Sequence, residues 1–128
     1  LSLDQFVPAV GQGSVAIQCA VSLDSSTKAL VRKACNHTMT EAALVAERHL
    51  LAHLEGGCSV PVYGHAKLID GQIQLQAGVL SLSGDQQIES SAMGNDPDAL
   101  GNRVANELIN RGAQTLLKEI REQLANQS

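Results

Sequence analysis

Asp70-Gly71 sits between two segments whose side chains alternate, and this pattern constrains the fold more than any other in the chain. A two-residue loop joining antiparallel strands needs positive φ at its residues, which Asp-Gly tolerates at low cost. Beyond the turn, Ile73, Leu75, Ala77 and Val79 alternate with Gln72, Gln74, Gln76 and Gly78, the period of a strand with one wet face. Before it, residues 62–69 supply the partner strand. Ser83-Gly84-Asp85 forms the next turn, and a weaker strand covers about residues 86–93.

Helical spacing surrounds these three strands. Ser25 or Ser26 can cap a first helix carrying Leu30, Val31 and Ala34, ending near Asn36-His37. Thr38 or Thr40 can cap a second, with Ala43, Ala46, Leu50 and Leu54 on one face; it runs to about Glu55, where Gly56-Gly57 stops it. His37 reads as a helix-end residue, where a cation is mildly favoured. Asp96-Pro97 opens the last element, a cap residue followed by a proline in the first turn. Leu100, Val104, Leu108, Ala113, Leu116, Leu117, Ile120 and Leu124 form its apolar stripe, with a kink or break expected near Gly112. The reading is an α+β domain: a three-stranded antiparallel sheet covered by helices.

The first twenty residues differ. Gly11-Gln12-Gly13 is a turn, and Val15, Ile17 and Cys19 alternate with Ser14, Ala16 and Gln18 as a half-buried strand would. No partner lies nearby in sequence, so the segment reads as part of a neighbouring domain's sheet. The expected division is 1–20 for that segment and 21–128 for the domain proper. The chain opens on Leu1, which leaves processing and excision from a longer protein both open.

Composition excludes several classes. Nine Lys+Arg against thirteen Asp+Glu give a net charge of −4, and Phe6 and Tyr63 are the aromatic residues. Nucleic-acid surfaces need a basic stripe and stacking rings, so no nucleic-acid partner is expected. The longest apolar run, residues 42–46, is five residues against the roughly 20 of a membrane span. No leader pattern opens the chain, and three cysteines at irregular spacings suit a reducing cytoplasm better than a disulfide framework.

The sharpest local chemistry is Leu54-Glu55-Gly56-Gly57-Cys58-Ser59-Val60-Pro61. A cysteine after two glycines, between a helix end and a strand start, sits where backbone can approach another group closely. Cys58 is therefore either an inert thiol in a helix-stop loop or an exposed attachment point. A competing reading is a small metal-binding or interaction domain using His49, His53 and Cys58, with His65 nearby; imidazole and thiolate are zinc ligands, yet only the i,i+4 histidine pair has familiar spacing. Gly11-Gln12-Gly13 lacks the third glycine and lysine of a phosphate loop. Glu47-Arg48 reads as a solvated pair.

Taken together, Pro8-Ala9-Val10-Gly11-Gln12-Gly13, Ala46-Glu47-Arg48, the residue 54–61 block and Asp70-Gly71 resemble the porphobilinogen deaminase (hydroxymethylbilane synthase) family. The resemblance implies the C-terminal part of a three-domain transferase of haem and tetrapyrrole biosynthesis. Residues 1–20 would complete its first domain, and the rest would form the third. It further implies a dipyrromethane cofactor in thioether linkage to Cys58, with Gly56, Gly57, Gln12 and Gly13 beside it, and no metal. Four porphobilinogen units would be added head to tail, each losing ammonia, before water releases the tetrapyrrole. Cys58 would thus be an anchor, not a turnover nucleophile. The family usually has Ala, Glu and Arg where this chain has Ser14, Gln18 and Ala20. Its catalytic aspartate and carboxylate-binding arginines belong to the first two domains, so no catalytic residue is assigned here. The 128-residue piece is expected to be inactive alone. A monomer is expected at full length, and the piece could self-associate through its unpaired strand.

Overall fold

A computed structural model describes residues 2, 3, 5–54 and 60–126. Its elements are α1 (Ser25–Cys35), α2 (Thr38–His53), β1 (Val62–Ile69), β2 (Gln72–Leu80), β3 (Gln87–Gly94), α3 (Pro97–Asn110) and α4 (Ala113–Asn126). The three strands form one antiparallel sheet in the order β1-β2-β3. Asp70 and Gly71 take φ of 50° and 79°, as the two-residue hairpin requires. The α+β reading holds.

The alternation separates the two faces of the sheet. Register pairs Leu75 with Ala66 and Ala92, and Ala77 with Gly64 and Ser90, on the face that meets the helices. Ile73, Leu75, Ala77 and Val79 are all buried there. α2 lies against β1 and α3 against β2 and β3, and the two helices pack on each other. Leu50, Leu108, Leu117 and Ile120 are fully buried between them and α4. Each such side chain contributes about 1.5–3 kcal/mol. The opposite face stays polar, with Gln72, Gln74 and Gln76 along its central strand.

Helix ends differ from the expected residues by small, explicable amounts. Asp24, not Ser25 or Ser26, caps α1, its Oδ1 accepting from the Thr27 amide at 2.8 Å. His37, not Thr38 or Thr40, caps α2, its Nδ1 accepting from the Thr40 amide at 3.3 Å. His37 therefore serves the start of α2 rather than the end of α1. Asp96 caps α3 as read, with Pro97 in the first turn. The single long terminal helix is two: the chain breaks at Arg111-Gly112, where Gly112 takes φ of 99°.

Two segments stay uncovered in this chain. α1 buries none of its residues, and Leu30 is 66% exposed. Residues 14–20 form no strand here, and Val15 and Ile17 are 93% and 59% exposed. An alternating pattern becomes a half-buried strand only when a neighbour supplies the ladder and the cover. No described helix is long and apolar enough to cross a membrane.

Candidate functional site

β1 is an edge strand, and the unpaired amides of such an edge need partners. Two quite different groups provide them. The Gly64 amide donates to the Pro8 carbonyl at 3.0 Å, and Ala9 bridges Tyr63 in antiparallel sense. Further along, the Ala66 amide donates to Oε1 of Glu47 at 2.7 Å. The other oxygen of that carboxylate, Oε2, accepts from the Gly11 amide at 2.8 Å. One side chain from the middle of α2 therefore joins the strand edge to the Gly11-Gln12-Gly13 turn.

The turn has its own internal bonds. Gly11 and Gly13 take φ of 69° and 81°, the Gln12 amide donates to the Ala9 carbonyl, and Gln12 Oε1 accepts from the Ala9 amide at 3.2 Å. Beside it opens a groove of about 300 Å³. Gln12 and Ser14 of the turn, His37 and Thr40 at the start of α2, and His65 and Lys67 of β1 are among its lining residues. Val10 packs partly buried against the core and seats the segment from beneath.

Glu47 is only 4% exposed, which overturns its reading as half of a solvated pair; Arg48 alone is exposed. A buried carboxylate is tolerable when charge-assisted hydrogen bonds replace its hydration, each contributing about 1.5–3 kcal/mol. His65 Nδ1 lies 3.7 Å from Oε1 and adds a third polar neighbour. A sequence signal for this burial exists: Glu47 follows Ala43 by four and precedes Leu50 by three, which puts it on the core stripe of the helix.

The described ends of the residue 54–61 block flank the other ends of α2 and β1. Leu54 is buried at the helix end, and Val60 packs partly buried against the same core. Gly56, Gly57 and Cys58, and with them the expected helix stop, lie outside the described residues. The remaining thiols are Cys19, half-buried, and Cys35, exposed on α1.

The histidines go to separate partners. His49 Nε2 lies 3.3 Å from Asp98 Oδ1, and His53 Nε2 is 2.9 Å from Asn106 Oδ1, both on α3. His65 faces Glu47 instead. Among the described residues no group of three His, Cys, Asp or Glu side chains could hold a metal ion.

Residues 41–110 match the family described as "Porphobilinogen deaminase, C-terminal domain". Proteins named porphobilinogen deaminase are similar along nearly the whole chain. The one from Cytophaga hutchinsonii is 39% identical over 98% of this chain. That from Geobacillus kaustophilus is 38% identical over 97%, and that from Desulfosudis oleivorans 37% over 95%. The chain spans about 40% of the length of these relatives. The match runs through α2, the residue 54–61 block, the whole sheet and α3, so the chain belongs to the porphobilinogen deaminase C-terminal domain family.

Proposed function

We propose that this chain is the primer-bearing C-terminal part of a longer hydroxymethylbilane synthase, a transferase that joins four porphobilinogen units head to tail with loss of ammonia. The observation that carries the reading is the family match over residues 41–110, which spans the Glu-Gly-Gly-Cys-Ser-Val-Pro block. Cys58 is the thioether anchor, with Gly56 and Gly57 allowing close backbone approach. Gln12 and Gly13, on the turn beside the groove, complete the set of primer-binding residues. When bound, a dipyrromethane supplies a nucleophilic pyrrole α-carbon from which the chain starts.

The groove supports such a ligand in kind. Its lining offers hydrogen-bond donors from Gln12, Ser14, Thr40 and Lys67 together with an apolar floor of Ala43, Leu44 and Leu68. A pyrrole chain with acetate and propionate arms needs both. Lys67 is the single Lys or Arg among those lining residues. The remaining cations, the catalytic aspartate and the substrate-binding arginines come from the part of the relatives that this chain does not span.

Residues 1–20 lead back to that other part, and their stretch after the Gln12 turn completes a sheet there, which accounts for the exposure of Val15 and Ile17. The longer protein is a cytoplasmic monomer, and the piece alone releases no ammonia from porphobilinogen. Metal binding through His49 and His53 is disfavoured by their engagement with Asp98 and Asn106. The test is the intact mass of the full-length enzyme after denaturation. It should exceed the polypeptide by two pyrrole units, and Cys58→Ser should remove the excess; an adduct that survives Cys58→Ser overturns the reading.

A further inference from the structure

We propose that Glu47 is a positioning residue of the reaction: its carboxylate sets the Gly11-Gln12-Gly13 turn so that the Gln12 amide donates to a carboxylate of the covalently held pyrrole chain. The inference rests on the functional reading above and adds a residue to which that reading gave no part.

The geometry divides the work between two anchors. Pro8 and Ala9 are fixed to β1 by the Gly64 hydrogen bond and the bridge to Tyr63. These hold the approach to the turn but not its far side. Among the described residues, the hydrogen bond that ties that side is the Gly11 amide on Glu47 Oε2 at 2.8 Å. The same carboxylate is locked to β1 through Ala66 at 2.7 Å, so the turn inherits the rigidity of helix and strand together. Within the turn, Gln12 Oε1 is occupied by the Ala9 amide. The two N–H groups of its side-chain amide are thereby the donors left for the groove that Gln12 lines.

An apolar side chain in its place would leave the Ala66 and Gly11 amides without their shared acceptor. The stripe of Ala43, Ala46 and Leu50 would be served by another apolar side chain, and a carboxylate placed there carries a desolvation penalty. What the carboxylate alone supplies is two acceptors aimed at amides 36 and 19 residues away in sequence. Glutamine keeps the shape but turns one of those acceptors into a donor facing a donor. Glu47→Gln is thus a nearly isosteric probe of the connection.

The test uses the full-length enzyme as wild type, Glu47→Gln, Gln12→Ala and the double variant. Because the acceptor belongs to a covalently held chain, more porphobilinogen cannot restore a misplaced contact, and the loss falls on kcat. Glu47→Gln should retain the covalent mass, lower kcat at least ten-fold, and change KM less than three-fold. Amide exchange at Gly11 or Ala66 should accelerate at least ten-fold while Leu75 and Val79 remain protected. The double variant should be no slower than the slower single one, since both act through one contact.

Losses that multiply in the double variant overturn the proposal. So does an unchanged kcat once the Gly11 amide has lost protection, and so does unchanged exchange at both amides. Should Glu47→Gln also unfold the core, Gln12→Ala decides by itself: wild-type kcat in that variant overturns the proposal. A wild-type enzyme that releases no ammonia overturns the functional reading and this proposal together, whereas failure of the proposal alone leaves the wild type active.

Discussion

Gly101 of α3 crosses α2 directly over the Ala46 carbonyl, where an added Cβ would lie 2.4 Å from that oxygen and 2.7 Å from His49 Cβ. Neither neighbour can rotate away, so a methyl group there must push the helices apart. Alanine is worth about 1 kcal/mol over glycine in an open helix. Overpacking costs about 1–3 kcal/mol and outweighs that gain. Gly101→Ala is expected to lower Tm by several degrees in a thermal melt. Gly94→Ala is the control, because its Cβ would stand 3.6 Å from Leu100 at ordinary contact distance; it should leave Tm within a degree or two.

Tyr63 lies over Gly78 on the open face of the sheet and donates to Glu89 while accepting from Gln87. Burial, followed by the hydrogen bond to the Glu89 carboxylate, pushes its phenol up to about 12 from the usual 10. The raised value means that folding favours the protonated phenol. That contribution is complete below pH 10 and lost as pH rises through 12. The chain has one tyrosine and no tryptophan, so ultraviolet absorbance of the phenolate reads this group alone. Its midpoint should fall near 12, and Glu89→Gln should bring it down; a wild-type midpoint near 10 would contradict the geometry.

At acid pH the first change is expected in α1. Hydrogen bonds from the Ser26 hydroxyl and the Thr27 amide hold the Asp24 carboxyl at about 2, below the usual 3.8. The Arg32 and Asn36 side chains likewise hold Glu41 below its ordinary value, tying the end of α1 to the start of α2. Both are lowered values, so the stabilisation is present above the ordinary carboxyl range and disappears as pH falls through the folded pKa. Backbone chemical shifts of residues 25–35 should lose helical character between about pH 4 and 2, before those of α3 change. Asp24→Asn, which caps without titrating, should flatten this dependence.

Val15→Asp combined with Ile17→Asp tests the role given to the first twenty residues. Both side chains are exposed, so the stability of this chain should move by no more than about 0.5 kcal/mol in urea. In the full-length enzyme the same pair should lower stability clearly or prevent folding. A marked loss in the 128-residue chain itself would show that the segment belongs to this domain.

How much of this could be read from the residues depended on the range of the interactions concerned. The sheet was legible because Asp70-Gly71 and the alternation from Ile73 to Val79 are local signals, and the core positions of α2 and α3 followed from helical spacing. Caps slipped by a residue because Asp24, Ser25 and Ser26 are all competent caps in a row, and the backbone decides between them. The strand expected at residues 14–19 has the right period and no partner to complete it. Glu47 was the main omission at the site: between Ala46 and Arg48 it resembles any helix carboxylate, and its partners Gly11 and Ala66 come from distant parts of the chain. The family resemblance rested on contiguous strings of residues, which need no folding argument, and the family match bore it out.

The absence of buried residues in α1 has a consequence for how the molecule would come apart. The stretch between the Gln12 turn and α2 is held by surface contacts, so a protease should cut there first. The severed N-terminal peptide would not drift off, because Pro8, Ala9, Val10 and Gly11 remain fastened to β1, the core and Glu47. Nicked protein should therefore elute as a single species on a sizing column and separate into two chains only in denaturant. Residues 5–13 would behave as a bound peptide that happens to be covalently attached.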